Sequence, residues 1–127
     1  DYKYSYKFSL PLDVEAMNKA CKVLFDYKNF KCFSRSNTDV KTYNCDIMEA
    51  TWRKEHNTLI FSITANRFLR NMVRAIVGTM IEIGLGKITI EQFHEIIKSQ
   101  DRTNAGASVP GHALYLTKIE YPNHIKR

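Results

Sequence analysis

From Arg67 to Gly86 the sequence reads RFLRNMVRAIVGTMIEIGLG, and this stretch constrains the rest of the chain more than any other. Phe68, Leu69, Met72, Val73, Ile76, Met80 and Ile83 recur at steps of three and four, so on an α-helix they form one apolar face about 100° wide or more. A face of that width has to be covered by a core. Arg67, Arg70 and Arg74 keep the same spacing on a neighbouring stripe, which predicts a guanidinium cluster on one side near the start of the helix. Cations in a first turn oppose the helix dipole at a cost of roughly 0.3 to 1 kcal/mol each, so their expected role is to meet anions rather than to stabilise the helix. Gly78 points to close backbone packing at mid-helix, and Gly84 with Gly86 predicts the C-terminal stop.

The rest of the chain has the size and apolar content to cover that face. With 127 residues and 44% hydrophobic content, residues 1–127 read as one domain with a single core. Nineteen Lys and Arg against thirteen Asp and Glu leave a net charge of +6, which fits a polyanionic partner and equally fits a well-solvated surface. Cys21, Cys32 and Cys45 are odd in number and make no CxxC or Cys/His pattern of zinc spacing, so free thiols in a reducing cytoplasm are expected, and no metal. No apolar run approaches the roughly 20 residues that cross a bilayer, and no signal peptide opens the sequence, so a soluble protein with no membrane partner is expected. A start at Asp1, running almost at once into a strand pattern, points to a piece of a longer protein.

In chain order, Tyr2, Tyr4, Tyr6 and Phe8 alternate with Lys3, Ser5 and Lys7 as in a half-exposed strand that Pro11 ends. Such a ladder can stack RNA bases, but so much aromatic area on one face is expected in a core or interface. Asp13 caps a predicted packing helix with Val14, Met17, Cys21, Leu24 and Phe25 at helical spacing. Tyr27 to Asp39 reads as a loop pinned by Phe30 and Phe33 and made basic by Lys28, Lys31 and Arg35. Lys41 to Lys54 and Thr58 to Asn66 predict a hairpin, with Trp52 as a packing residue or, if exposed, a base-stacking one.

After the arginine helix, Thr89 to Gln92 reads as a capping box opening a second amphipathic helix that runs to about Ser99, with Glu91 and a solvated His94 on its outer side. Asp101 to His112 is a predicted loop, and Ala113 to Tyr121 a closing strand ended by Pro122. The order β-α-β-β-α-α-β predicts an α+β fold, an antiparallel sheet with helices packed on one face.

The residues alone assemble no complete active site: no Ser/His/Asp order with supporting turns, no phosphate-cradling Gly loop and no metal set. Three segments nevertheless carry a resemblance. FLRNMVRAIVGTMIEIGLGK (Phe68 to Lys87), DRTNAG (Asp101 to Gly106) and ALYLTKIEYP (Ala113 to Pro122) stand in the order and spacing of the C-terminal half of the tRNA pseudouridine synthase A family. The Asn29-Phe30 loop and the strand at Thr42 match more loosely.

The resemblance implies an isomerase that detaches uracil from ribose and rejoins it through carbon, without a cofactor, at uridines of the anticodon stem and loop of tRNA. It implies a cytoplasmic homodimer and an essential aspartate in an Arg-Thr-Asp-x-Gly segment of the N-terminal half of the same chain. Arg102-Thr103-Asn104-Ala105-Gly106 looks like that segment, but its flanks match the family's C-terminal DRT-type loop, so Asn104 is not expected to be a damaged catalytic residue. Carried over residue by residue are Arg74, expected to pair with the catalytic aspartate, and Leu114, expected to line the uracil pocket.

A guanidinium beside a carboxylate lowers its pKa by about 1 to 3 units, as a nucleophilic carboxylate requires, and a semi-buried Arg74 would need such a partner. Arg67 and Arg70, with Lys87, Lys28, Lys31 and Arg35 as weaker candidates, are expected on the tRNA backbone. The sequence departs from the family pattern at Ala113 for Gly, at Asn29 where Asp is common, and at Tyr43-Asn44 where an arginine often occurs. Two alternatives stand beside the enzyme: a free-standing basic RNA-binding module without chemistry, and a structural or protein-interaction domain.

Overall fold

A computed structural model describes residues 2–8, 12–35, 41–108 and 119–122. The elements are β1 (Tyr2–Phe8), α1 (Val14–Leu24), β2 (Ile47–Glu55), β3 (Thr58–Ala65), α2 (Met72–Gly84), α3 (Ile90–Ser99) and β4 (Ile119–Pro122), with short 3-10 turns at Lys31–Phe33 and Arg102–Asn104. This is the predicted α+β order. The strands form one antiparallel sheet in the order β2-β3-β1-β4.

The alternation read in the sequence decides which sheet face is covered. Leu59, Phe61 and Ile63 of β3 join Met17, Ala20, Cys21 and Leu24 of α1 and Met72, Ile76, Val77, Met80 and Ile83 of α2 in one buried cluster. Trp52 is 3% exposed and packs on Phe61 at 4.8 Å with the rings tilted by 32°, its indole N–H directed at the sulfur of Met80, so it is a packing residue. Tyr4, cross-strand from Ile63, meets Phe68 edge-on at 5.1 Å and takes the packing role expected of the aromatic ladder. The outer edge of β2 is protected by Asn18 of α1, whose side-chain amide donates to Trp52 O and accepts from Trp52 N.

Local signals placed three helix ends correctly. Asp13 accepts from Ala16 N at the start of α1, and Thr89 with Gln92 completes a reciprocal capping box on α3. At the end of α2, Gly86 (φ +80°) donates to Ile83 O while Lys87 N reaches Glu82 O, the paired bonds of a Schellman ending. Gly84 is needed for close approach: a Cβ there would lie 2.6 Å from the Met17 sulfur and 3.1 Å from Leu12 Cβ.

Three expectations need correction. The arginine helix begins at Met72 and not at Arg67, because Asn71 holds a left-handed backbone (φ 67°, ψ 8°) that no continuous α-helix contains. Phe68 and Leu69 still pack on the core, since burial does not require helical backbone. Strand β2 begins at Ile47 and not at Lys41, because the preceding residues pair elsewhere: Asn44 bridges Asn29, Tyr43 O accepts from Phe30 N, and Cys45 N donates to Lys28 O. His94 is half-buried, not solvated, and is hydrogen-bonded to Tyr27 OH at 2.7 Å. The closing strand is described only at Ile119–Pro122.

Candidate functional site

The start of α2 gathers the features that packing alone does not require. Asn71 occupies the N-cap position, yet its side chain makes no capping bond to its own helix. The first turn carries no acidic residue to match the helix dipole, and its third residue is Arg74, whose side chain is exposed rather than semi-buried. A hollow of about 130 Å³ lies beside it, walled by Tyr4, Phe68, Leu69, Met72 and Val73 with Asn71 and Arg74 as polar groups. The arrangement is an aromatic and aliphatic wall with one cation at its rim. It is suited to a flat, partly apolar ligand group beside an anion.

Residues 101–108 are tied along α2 toward this hollow. Gly106 N donates to Thr79 Oγ1 (2.9 Å) near the middle of the helix. Arg102 spans Gly106 O (3.1 Å) and Ser108 Oγ (2.9 Å), and the same Ser108 oxygen accepts from Asn71 Nδ2 (2.6 Å). The 3-10 turn that presents Arg102 is capped by Asp101, whose carboxyl is held below its usual range by hydrogen bonds from the Thr103 hydroxyl and backbone N–H, with Lys31 assisting. Asn104 is exposed and lines a different hollow with Ile88, Gln92, Glu95 and Ile96, away from Arg74's cavity.

Basic residues gather between the segment before α2 and the loop after α1 and form a basic band. Arg35 N donates to Arg70 O (3.0 Å), which brings two sequence-distant arginines together. Lys31 lies over the Tyr43 ring at 5.4 Å and shares a groove of about 620 Å³ with Ser34, Asp101 and Arg102. Arg67 Nη1 donates to both Thr42 O and Asn44 O (2.9 Å each), so part of this guanidinium serves the fold.

Lys28 is paired with Asp46 at an exposed position. Lys87 stands apart, past the far end of the thirteen-residue α2, about 20 Å from its start. Leu114 lies outside the described residues. The three cysteines are free and buried; burial pushes Cys21 and Cys32 up to about 12 and raises Cys45, so none is poised as a nucleophile. Among the described residues no group of three or more His, Cys, Asp or Glu could hold a metal ion, and no helix is long and apolar enough to cross a membrane.

A sequence model of the tRNA pseudouridine synthase family matches residues 20–122, a span that includes the hollow's Phe68 to Arg74 rim and the tied loop. The chain belongs to that family. It is 54% identical to tRNA pseudouridine synthase A of Parabacteroides distasonis over 98% of its own length and 50% of that protein's. For the Bacteroides fragilis protein of the same name the identity is 51% over 97% and 49%, and for that of Porphyromonas gingivalis 54% over 90% and 46%. The chain thus spans about half the length of the curated relatives it matches.

Within this family member, sequence reasoning singled out Arg74 but missed Asn71, Arg102 and Ser108 as a connected group, and Tyr4 with Phe68 as cavity walls. The one local signal was Asn71 itself, since asparagine is the side chain that most readily takes left-handed backbone after glycine. The bond from Asn71 to Ser108 crosses 37 residues of sequence and leaves no periodic trace.

Proposed function

We propose that this chain is the C-terminal half of a tRNA-modifying isomerase that converts uridine to pseudouridine in the anticodon stem and loop. In this reading Arg74 holds and orients a catalytic aspartate carried by the N-terminal half of the same protein, Leu114 lines the uracil pocket, and the basic band bears on the tRNA backbone. The whole protein acts as a cytoplasmic homodimer and needs no cofactor. That requirement is consistent with the chemistry, because substrate and product are isomers: the bond from uracil N1 to the ribose breaks, the bond from C5 forms, and the C5 proton is lost as N1 gains one.

The observation that carries the reading is a family match of about half identity that covers nearly all of this chain and only half of each relative. The hollow at Arg74 supports it independently, since a guanidinium at the rim of an aromatic-walled cavity can keep an adjoining carboxylate ionised and aimed. Arg70 and Arg35, both exposed and joined through their backbones, are the first candidates for phosphate contacts, together with the exposed Lys31. Arg67 contributes in part, and Lys28 and Lys87 are the weakest candidates on geometry.

The test is release of tritium from tRNA labelled at uracil C5. The full-length protein is expected to release it, and this chain alone, although folded, is not. Release above background by the chain alone would place the catalytic group within these residues, and no release from any tRNA by the full-length protein would remove the enzymatic reading.

A further inference from the structure

We infer that Asn71, Ser108 and Arg102 form a latch that positions Arg74, an inference that rests on the active-site reading of Arg74 given above. Ser108 Oγ uses its acceptor capacity on two donors, Asn71 Nδ2 at 2.6 Å and Arg102 Nη2 at 2.9 Å. Arg102 donates its other terminal nitrogen to Gly106 O, so one planar fork fixes both the backbone and the hydroxyl of the same short segment. That segment is anchored on α2 a second time through Gly106 N and Thr79 Oγ1, whose hydroxyl in turn donates to Ala75 O, one residue beyond Arg74.

The backbone at Asn71 gives the latch its purpose. Asn71 at φ 67° takes left-handed backbone, which asparagine tolerates better than other side chains bar glycine, and its side-chain bond to Ser108 helps to fix that conformation. Its carbonyl accepts from Ala75 N, so this peptide sets the direction in which the first turn of α2 leaves. Arg74 is the third residue of that turn. An asparagine that capped its helix in the ordinary way would spend its side chain on the helix's own N–H groups; here the side-chain amide is turned outward to Ser108. Loss of the latch therefore lets the helix entry relax, and Arg74 shifts relative to the wall formed by Tyr4 and Phe68. Asn71, Ser108 and Arg102 are positioning residues.

The test uses the full-length protein. Ser108→Ala removes the shared acceptor, Ser108→Thr restores an oxygen, and Asn71→Gly removes the amide while keeping left-handed backbone available, so at least one disruptive variant keeps the fold. Misplacement of a reacting group by about 1 Å can cost on the order of a hundredfold, so Ser108→Ala and Asn71→Gly are expected to lose about ten- to a hundredfold in single-turnover rate. KM for tRNA should change less than about twofold, since the basic band is untouched, and Ser108→Thr should recover most of the rate.

A wild-type rate in the folded Ser108→Ala and Asn71→Gly proteins, alongside an inactive Arg74→Ala control, overturns the latch and leaves the active-site reading standing. A loss confined to thermal stability, with full turnover below the melting point, likewise overturns it. If the Arg74→Ala control is itself fully active, the active-site reading fails and the latch as a positioning device falls with it.

Discussion

The two ends of α2 are built to different rules. At the C-terminal end the backbone is fully capped, although no basic residue answers the dipole there: Gly86 takes the left-handed position, the Schellman bonds close on Ile83 and Glu82, and Gly84 allows Met17 and Leu12 of the first helix region to press in. At the N-terminal end the conventions are broken. The N-cap residue is a left-handed asparagine whose side chain makes no capping bond, the first turn holds no acidic residue, and Arg74 sits in that turn with Arg70 immediately before the cap. The same helix thus ends in a stability device and begins in an arrangement that costs stability. Sites that depart from local preference without gain in packing are where function is expected, and the hollow of Tyr4, Phe68 and Arg74 lies at that departure.

The sharpest way to break this contrast is at Arg74. In the full-length protein Arg74→Lys should lose more than about tenfold in single-turnover rate, because lysine offers a point charge where a planar fork orients a carboxylate. Its melting temperature should stay within about 2 °C, as expected for exchange of one exposed cation for another. Near-normal turnover would make the N-terminal end merely an imperfect helix start.

The opposite signature belongs to Gly84. Gly84→Val drives branched carbons into Met17 and Leu12 and should destabilise by about 1 to 3 kcal/mol in urea unfolding, while the folded protein keeps its rate. A smaller effect of the same kind is expected at Gly86, where nothing lies within 4 Å of a new Cβ and only the positive φ opposes it. Gly86→Ala should therefore cost roughly 1 to 2 kcal/mol. An unchanged midpoint would show that the left-handed ending is dispensable.

The smallest effect reverses sign between the two measurements. Arg70→Ala removes an exposed cation next to the positive end of the dipole, so stability should hold or rise by a few tenths of a kcal/mol. The same variant should lower the slope of log affinity for tRNA against log salt by about 0.7 to 0.9 and weaken cognate and non-cognate tRNA alike. An unaltered salt slope would remove Arg70 from the phosphate contacts.

Elements whose causes are local were readable directly. The β-α-β-β-α-α-β order follows from periods of two and 3.6, and the caps at Asp13 and Thr89 from side chains three residues from the N–H groups they accept. The burial of Phe30, Phe33 and Trp52 agrees with their size, although Phe25, expected on the packing face of α1, stands past the helix end at the C-cap and is 47% exposed. The resemblance added Arg74, which no periodicity distinguishes from its neighbours. Where reading from spacing failed, a distant partner had intervened: Asn29 and Arg67 claim the backbone of Asn44, so β2 begins later than its predicted start, and Tyr27, 67 residues away in sequence, draws His94 out of solvent.

What the sequence by itself determined was therefore the set of elements, the face each buries and the family to which the chain belongs. Those properties are sums over neighbouring residues or patterns spread along the whole chain. Only the tertiary structure decided that α2 begins at Met72, that Arg67 is partly occupied by the carbonyls of Thr42 and Asn44, and that Arg35 comes to lie against Arg70. It alone joined Ser108 and Arg102 to Asn71. The bonds of Arg67 to Thr42 and Asn44, of Arg35 to Arg70 and of Asn71 to Ser108 each join residues far apart in sequence, are worth about 1 kcal/mol apiece and are placed by the packing of everything between them.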